Sequence, residues 1–352
     1  MPEEVAVVGF AQSPAVRRTH APANGVEMLL PLFHQVYSDT GLSKKDIGFW
    51  CSGSSDYLAG RAFSFVNAVD AIGAVPPIAE SHVEMDAAWA LYEAWVRLRI
   101  GEVDTALVYG FGKSSAGELR RVLALQLDPY LVTPLWPDSV SLAGLQARLG
   151  LTRGRWSERD MAEVAVRARA AAKDNPDAQL SGDHTVEALL AEPYLADPLR
   201  AHDCAPITDG ASVVVLAAGD RARALCERPA WITGIEHRVD SGQLGARDLT
   251  AVPSAVAAAQ AAGADGADLA ELHTPFTHQE ILLRQELKLT ETPVNPGGGV
   301  LAGNPMFAAG LARIGLAARH IHRGEAGRVL AHATSGPCLQ QNLVCVLDGD
   351  RR

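Results

Sequence analysis

Val294-Asn295-Pro296-Gly297-Gly298-Gly299-Val300-Leu301-Ala302-Gly303-Asn304-Pro305 runs straight into an Ala-rich segment, Met306–Arg323. A glycine cluster permits turns and close approaches that a Cβ forbids. Pro305 suits the first turn of a following helix, where its missing N–H is not needed. The reading is a loop that lets a ligand approach backbone amides at a helix N-terminus, a geometry suited to a thioester oxyanion or a phosphate.

Around this loop the chain alternates strand and helix signals. Val5–Phe10 is a short apolar run with the form of a buried strand. Val26–Tyr37 has helical spacing, Ile47–Cys51 reads as a strand, and Met85–Ile100 is a long amphipathic helix stopped by Gly101 before the strand Thr105–Tyr109. Alternation of this kind predicts an α/β protein with buried sheets. It also repeats. A helix, Gly101-Glu102 and the strand Thr105–Val108 are echoed by a helix, Gly324-Glu325 and the strand Arg328–Ala331, which predicts duplicated halves. Between them, from Lys113 to about Asp203, six prolines interrupt regular structure. Ser157–Lys173 stands out there as a helix, with Ser157 and Asp160 at capping-box spacing. The expected division is 1–225, including a loop subdomain at about 113–203, and 226–352.

Composition limits the function. The chain has 352 residues, 48% of them hydrophobic, with a formal charge of −10 and a mean hydropathy of +0.04. That charge argues against a general nucleic-acid binder. There is no apolar run of about 18 residues, and the N-terminus Met1-Pro2-Glu3-Glu4 is acidic, so neither a membrane span nor a signal peptide is expected. The five cysteines (Cys51, Cys204, Cys226, Cys338 and Cys345) are scattered and lack CxxC spacing. A cytoplasmic protein without zinc or a disulfide framework fits.

The loop at 294–305 resembles the active-site loop of thiolases of the lipid-transfer, or sterol-carrier-protein-x, type. There the motif reads Asn-Pro-(Ser/Gly)-Gly-Gly and then Gly-His-Pro; here Gly303-Asn304-Pro305 lacks the histidine. The resemblance covers nearly the whole chain and implies a thiolase fold, an αβαβα sandwich of two similar halves with a loop subdomain. The family's Val-Asn-x-x-Cys-x-Ser-Gly, laid on Glu80–Ala87, puts Glu84 where the nucleophilic cysteine belongs. Glu271-Leu272-His273-Thr274-Pro275-Phe276-Thr277 resembles Glu-Leu-His-Asp-Cys-Phe-(Thr/Ser), which implies that His273 holds a thioester oxygen or a catalytic water. The second catalytic cysteine falls at Gly336, with Cys338 two residues away as the alternative register.

The resemblance therefore implies catalytic roles for His273, Glu84, Asn304 and Asp86, and contact with substrate or coenzyme A at Gly298, Gly299, Gly303, Gly336 and His82. His82, Glu84 and Asp86 alternate and share a face if extended, either as an acid/base or metal cluster or as a polar network closing the site or a subunit contact. No second ligand motif supports a metal. Arg120, Arg121, Arg167 and Arg169 read as solvated helix faces or as clamps for the CoA phosphates. His320 and His322 read as structural or solvated groups at a helix C-terminus. No permanently bound cofactor is expected, only a coenzyme A thioester as substrate or ligand.

A Claisen thiolase needs a thiolate to carry the acyl group and a base to generate it, so cysteine-based thiolysis is not expected from this chain alone. Three functions remain. The first is a degenerate subunit that binds a bulky acyl-CoA, steroid-derived or another lipid. It would form a homodimer or pair with an active thiolase-like subunit, and also with the OB-fold protein that often accompanies this type. The second is a stand-alone retro-aldolase-type acyl-CoA lyase using acid/base residues. Aldolase relatives use tyrosines, which are absent from the motif positions here. The third is a non-catalytic acyl-CoA or lipid carrier.

Overall fold

Apolar runs without polar alternation belong to strands covered on both faces, and Thr105–Gly112 and Gly210–Ala218 are buried along their whole length. The computed structural model describes residues 3–20, 24–56 and 63–349; Met1 and Pro2 lie outside the described residues. The chain opens with β1 (Val5–Gln12), α1 (Gly25–Thr40), β2 (Phe49–Gly53), α2 (Ser64–Ile72), β3 (Glu80–Val83), α3 (Ala87–Arg99) and β4 (Thr105–Gly112). An insertion follows with α4 (Leu119–Leu125), α5 (Ser139–Thr152), α6 (Glu158–Ala171), α7 (Val186–Leu190), β5 (Tyr194–Ala196), β6 (Leu199–Arg200) and β7 (Ile207–Thr208). The chain returns through β8 (Gly210–Ala218) and α8 (Gly219–Leu225). Next come β9 (Ala230–Val239), α9 (Pro253–Ala262), β10 (Leu269–Leu272), α10 (Thr277–Glu286) and α11 (Gly299–Ala302). The last elements are β11 (Asn304–Pro305), α12 (Ala309–His322), β12 (Arg328–Ser335) and β13 (Gln341–Asp348).

The duplication read from the echo is visible in the sheet, whose strand order is β10-β12-β13-β9-β1-β8-β4-β2-β3. β1 pairs antiparallel with β8, β8 with β4, and β4 parallel with β2. On the other side β9 pairs antiparallel with β13, β13 with β12, and β12 parallel with β10. The same sequence of neighbours thus runs outward from β1 and from β9, which meet at the centre. Even the outer strand β3 has a vestigial counterpart, a parallel bridge from Val294 to Ala270 on β10. The two glycines of the echo, Gly101 and Gly324, have φ of 74° and 71°, the left-handed exit that ends a helix.

α3 and α12 pack between the halves. Leu91, Leu98, Leu311 and Ile314 share a core with Val108 and Leu216 of the first half and Ala331 and Leu343 of the second. α1, α2 and α8 cover the outer face of the first half, and α9 and α10 that of the second. The result is five layers, αβαβα. Two bare strand positions let the central helix and its loops come close. A Cβ at Gly53 would lie 2.4 Å from the Ala87 nitrogen, and one at Gly110 would lie 2.4 Å from the Phe307 oxygen.

One reading changes, and one of two alternatives is decided. Pro305 does not start a helix; Asn304–Pro305 is a short strand parallel to Ile207–Thr208, and the helix begins at Ala309. His320 is not simply solvated, since Nε2 lies 3.3 Å from Glu271 and Nδ1 2.6 Å from Glu325. Burial alone would lower its pKa, but the bonds to Glu271 and Glu325 win and raise it. A raised folded pKa means that His320 contributes stability fully below its unfolded value near 6.5, and that this contribution is lost as pH rises through the folded value. His320→Gln should flatten that segment of the stability curve. Urea midpoints measured from about pH 6 to 9 check this, and an unchanged slope would refute it.

Candidate active site

The site lies where the two central helices begin. Asp86 caps α3 by accepting from the Ala88 N–H at 2.9 Å. Its carboxylate also accepts from Gly310 and Leu311 N–H at 2.9 and 3.0 Å, in the first turn of α12. One buried side chain thus serves the N-termini of both symmetry-related helices, where the helix dipoles favour negative charge. Burial pushes its carboxyl pKa up, and the three N–H donors oppose that shift. Asp86 sits beneath the site, with both oxygens engaged by the backbone.

Above it opens a cavity of about 730 Å³ lined by Glu84, Asp86, His273, Asn304, Gly336 and Cys338, with Phe307 in its wall. Residues predicted from four separate stretches of sequence therefore face one space. Glu84 leaves β3 just before α3, and its side chain is 58% exposed. His273 follows β10 and is buried; Nδ1 accepts from the Thr334 N–H at 3.5 Å, which places the ring proton on Nε2. Burial, followed by the nearby His332 and Arg313, brings its pKa down to about 3, with the Asn304 side chain pulling the other way. It is a neutral hydrogen-bond donor at ordinary pH. Asn304, in the place of the motif histidine, lies beside His273, and its buried Oδ1 makes no hydrogen bond of good geometry with the described residues.

The predicted glycines divide. Gly336 lines the cavity, with φ of 73°, in a tight turn where Cys338 and Leu339 are also left-handed. Gly298, Gly299 and Gly303 are not among its lining residues. A Cβ at Gly298 would meet the Ala168 oxygen at 2.7 Å, one at Gly299 would meet Asn295, and one at Gly303 would meet Ala15. These glycines let the loop pack against its own protein. His82 stands behind Glu84, with Nε2 3.5 Å from Glu84 Oε2 and Nδ1 3.1 Å from Ser52 Oγ.

The insertion clamps the loop. Arg167 donates to the Val294 carbonyl at 2.8 Å and pairs with buried Glu280. Arg169 donates to the Leu301 carbonyl at 2.5 Å, and Asn175 to the Gly297 carbonyl at 2.9 Å. Arg167 and Arg169 are thus tied to the loop rather than free in solvent, and Arg169 also lines the cavity. Arg17 and Arg120 line the cavity, and Arg120 lies 3.5 Å from Asp138.

Two cysteines reach the cavity, Cys204 and Cys338. Burial pushes both thiols up to about 12, with Asp203 adding to the effect at Cys204 and Arg247 opposing it at Cys338. A thiol at that value is protonated near neutrality and is not a nucleophile. Alkylation of Cys338 by iodoacetamide should therefore be slow at pH about 7 and accelerate only under strongly alkaline conditions. Rapid labelling at neutral pH, read by mass spectrometry, would contradict this. Among the described residues no group of three His, Cys, Asp or Glu is placed to hold a metal, and no helix is long and apolar enough to cross a membrane.

No protein-family model matches the chain. Over 216 residues it is 32% identical to an acetyl-CoA acetyltransferase of Methanothermobacter thermautotrophicus, covering 53% of this chain and 56% of that protein. It is 26% identical over 217 residues to the benzoylsuccinyl-CoA thiolase subunit BbsB of Thauera aromatica, covering 52% and 56%. A stretch of 77 residues, 22% of the chain and 20% of the relative, is 39% identical to the 17-hydroxy-3-oxo-4-pregnene-20-carboxyl-CoA lyase of Mycobacterium tuberculosis. The match thus spans about half the length of the first two relatives and a fifth of the third. Among solved structures, the Ltp2-ChsH2(DUF35) aldolase superposes with a TM-score of 0.79 at 18% identity, over 99% of this chain and 98% of that one. The Bacillus anthracis acetyl-CoA acetyltransferase gives 0.80 at 17% identity, over 99% of both chains. The architecture is the thiolase fold.

Proposed function

We propose that the cavity binds a bulky acyl-CoA and that the site cleaves a carbon–carbon bond by proton transfer, without an acyl-cysteine. The observation that carries this reading is a conjunction. A solvent-reachable carboxylate, Glu84, and a neutral imidazole donor, His273, share one open cavity whose cysteines are held as protonated thiols. Leu119, Leu123, Leu127, Val140, Leu142 and Phe276 form an apolar wall, and the volume is in the upper part of the range for ligand sites. That favours a large apolar acyl group, such as a steroid or another lipid. Arg17, Arg120 and Arg169 are cations among its lining residues, and Arg17 and Arg120, which are not tied to the loop, suit CoA phosphates.

In a retro-aldol step the Glu84 carboxylate takes the hydroxyl proton of a 3-hydroxyacyl thioester. The bond between the α and β carbons breaks, and its electron pair enters the thioester as an enolate. The Nε2–H of His273 and the amide of Asn304 donate to the enolate oxygen. The Glu84 carboxylic acid then returns its proton to the α carbon, which yields a shorter acyl-CoA and a ketone or aldehyde and restores the carboxylate, with no redox change and no free CoA consumed.

A second reading keeps the binding and assigns the turnover to a heteromer. It draws on the solved Ltp2-ChsH2(DUF35) aldolase and on the relative described as a thiolase subunit. The purified chain should be assayed with 3-hydroxyacyl-CoA, and separately with 3-oxoacyl-CoA plus free CoA. Cleavage of the hydroxy substrate supports the lyase. Binding without turnover supports the subunit. CoA-dependent thiolysis that is lost in Cys338→Ala would overturn both.

A further inference from the structure

Arg169 lies on the face of α6 whose other buried residues are Met161, Ala162, Val164, Ala165 and Ala168. It is 8% exposed. Its Nη1 donates to the Leu301 carbonyl, and among the described residues the guanidinium makes no other hydrogen bond and no ion pair. Holding a carbonyl takes a donor, not a charge. Arg167, two residues earlier, holds the Val294 carbonyl and also pairs with Glu280. Arg200 and Arg313 are as deeply buried, and each has a carboxylate, Glu158 at 2.6 Å and Glu271 at 2.8 Å. Glu192 is a carboxylate in the field of Arg169, but it faces His202 Nδ1 at 3.2 Å and its side chain is 43% exposed. A buried cation without a carboxylate is costly, and this one lines the cavity.

We propose that Arg169 binds a carboxylate carried by the acyl group, so that the preferred ligand is the CoA monothioester of a dicarboxylic acid. The inference rests on the acyl-CoA reading above and narrows its substrate class. With Nη1 held on Leu301, the N–H groups of Nε and Nη2 remain side by side, a fork that matches the two oxygens of a carboxylate. The Leu301 carbonyl also fixes where that fork stands. Leu301 belongs to α11, three residues before Asn304, the residue that the proposed reaction sets at the enolate oxygen. The cation is therefore tied to the segment that carries the reacting end of the cavity. The CoA phosphates lie a full pantetheine arm from the thioester and have Arg17 and Arg120 as their cations. The apolar wall then takes the carbon skeleton and Arg169 its charged end. A purely hydrocarbon chain would leave the guanidinium unpaired, which discriminates against it.

The test is calorimetric titration with glutaryl-, adipoyl- and suberoyl-CoA, each against the uncharged thioester of equal chain length, pentanoyl-, hexanoyl- and octanoyl-CoA, with free CoA as the reference. At least one carboxylated chain should bind the wild-type protein about 10- to 100-fold more tightly than its uncharged counterpart. Arg169→Met should erase that preference, and Arg169→Lys, which keeps the charge but not the fork, should keep part of it. The readout is a ratio within one protein, so any slackening of the loop on loss of the Leu301 bond cancels. Equal wild-type affinities at every length, or a preference that survives in a folded Arg169→Met, overturns the proposal while the acyl-CoA reading stands. If Arg169→Met does not fold, an undiminished preference in Arg169→Lys overturns it in the same way. Equal weakening of free CoA and every thioester in Arg169→Met, with the preference kept, would assign the cation to a CoA phosphate and also overturn it. A wild-type protein that binds neither free CoA nor any thioester overturns the acyl-CoA reading and the proposal together.

Discussion

Glu84→Gln is expected to lower the rate of acyl-CoA cleavage by about 10²- to 10⁴-fold while leaving acyl-CoA affinity within about twofold. The carboxylate is exposed to the cavity and, among the described residues, has the contact with His82 as its one ion pair, so its amide fits the same space. The substitution removes only the capacity to accept a proton. Single-turnover cleavage of a 3-hydroxyacyl-CoA, together with calorimetric titration of the thioester, separates the two quantities. A Glu84→Gln protein that turns over at the wild-type rate would remove the general base from the mechanism and leave binding as the cavity's only role.

Arg313→Met should destabilise the fold by roughly 3–5 kcal/mol, because it strips the main counter-charge from a buried carboxylate. Arg313 donates to Glu271 at 2.8 Å, and both side chains are almost fully buried between α12 and β10. The methionine fills similar space, so the loss reports charge rather than volume. Arg328→Met, which cuts a more exposed pair with Asp348, should cost at most about 1 kcal/mol. Urea unfolding of both variants checks the contrast, and equal costs would mean that burial is not the deciding factor at Glu271.

What could be read from the sequence was local or repeated. Ser157 and Asp160 form the capping box their spacing suggested, and α6 begins where it predicts. The echo of helix, glycine and strand marked the two halves because both copies keep the same exit turn. The motif residues Glu84, His273, Asn304 and Gly336 proved to face a common cavity because each sits at the end of a strand or the approach to a central helix. What could not be read depends on partners far away in the chain. Nothing near Asp86 announces that its oxygens reach Gly310 and Leu311, 224 and 225 residues later. Arg167 and Arg169 have helical spacing that looks solvated, yet their acceptors are carbonyls 127 and 132 residues away. Pro305 obeyed a local helix-start rule until β7 offered it a strand to lie beside.

Asp86 has a mechanical consequence. Because one carboxylate bolts the first turns of α3 and α12 together, the two halves cannot hinge apart at the cavity floor without breaking at least two buried, charge-assisted hydrogen bonds. The floor therefore behaves as a rigid anvil. Under the proposed acyl-CoA reading, passage of a bulky acyl chain would fall instead to the apolar wall, where Leu119, Leu123 and Leu127 line the cavity. Apolar contacts can slide by small steps where a bolt can only hold or shear.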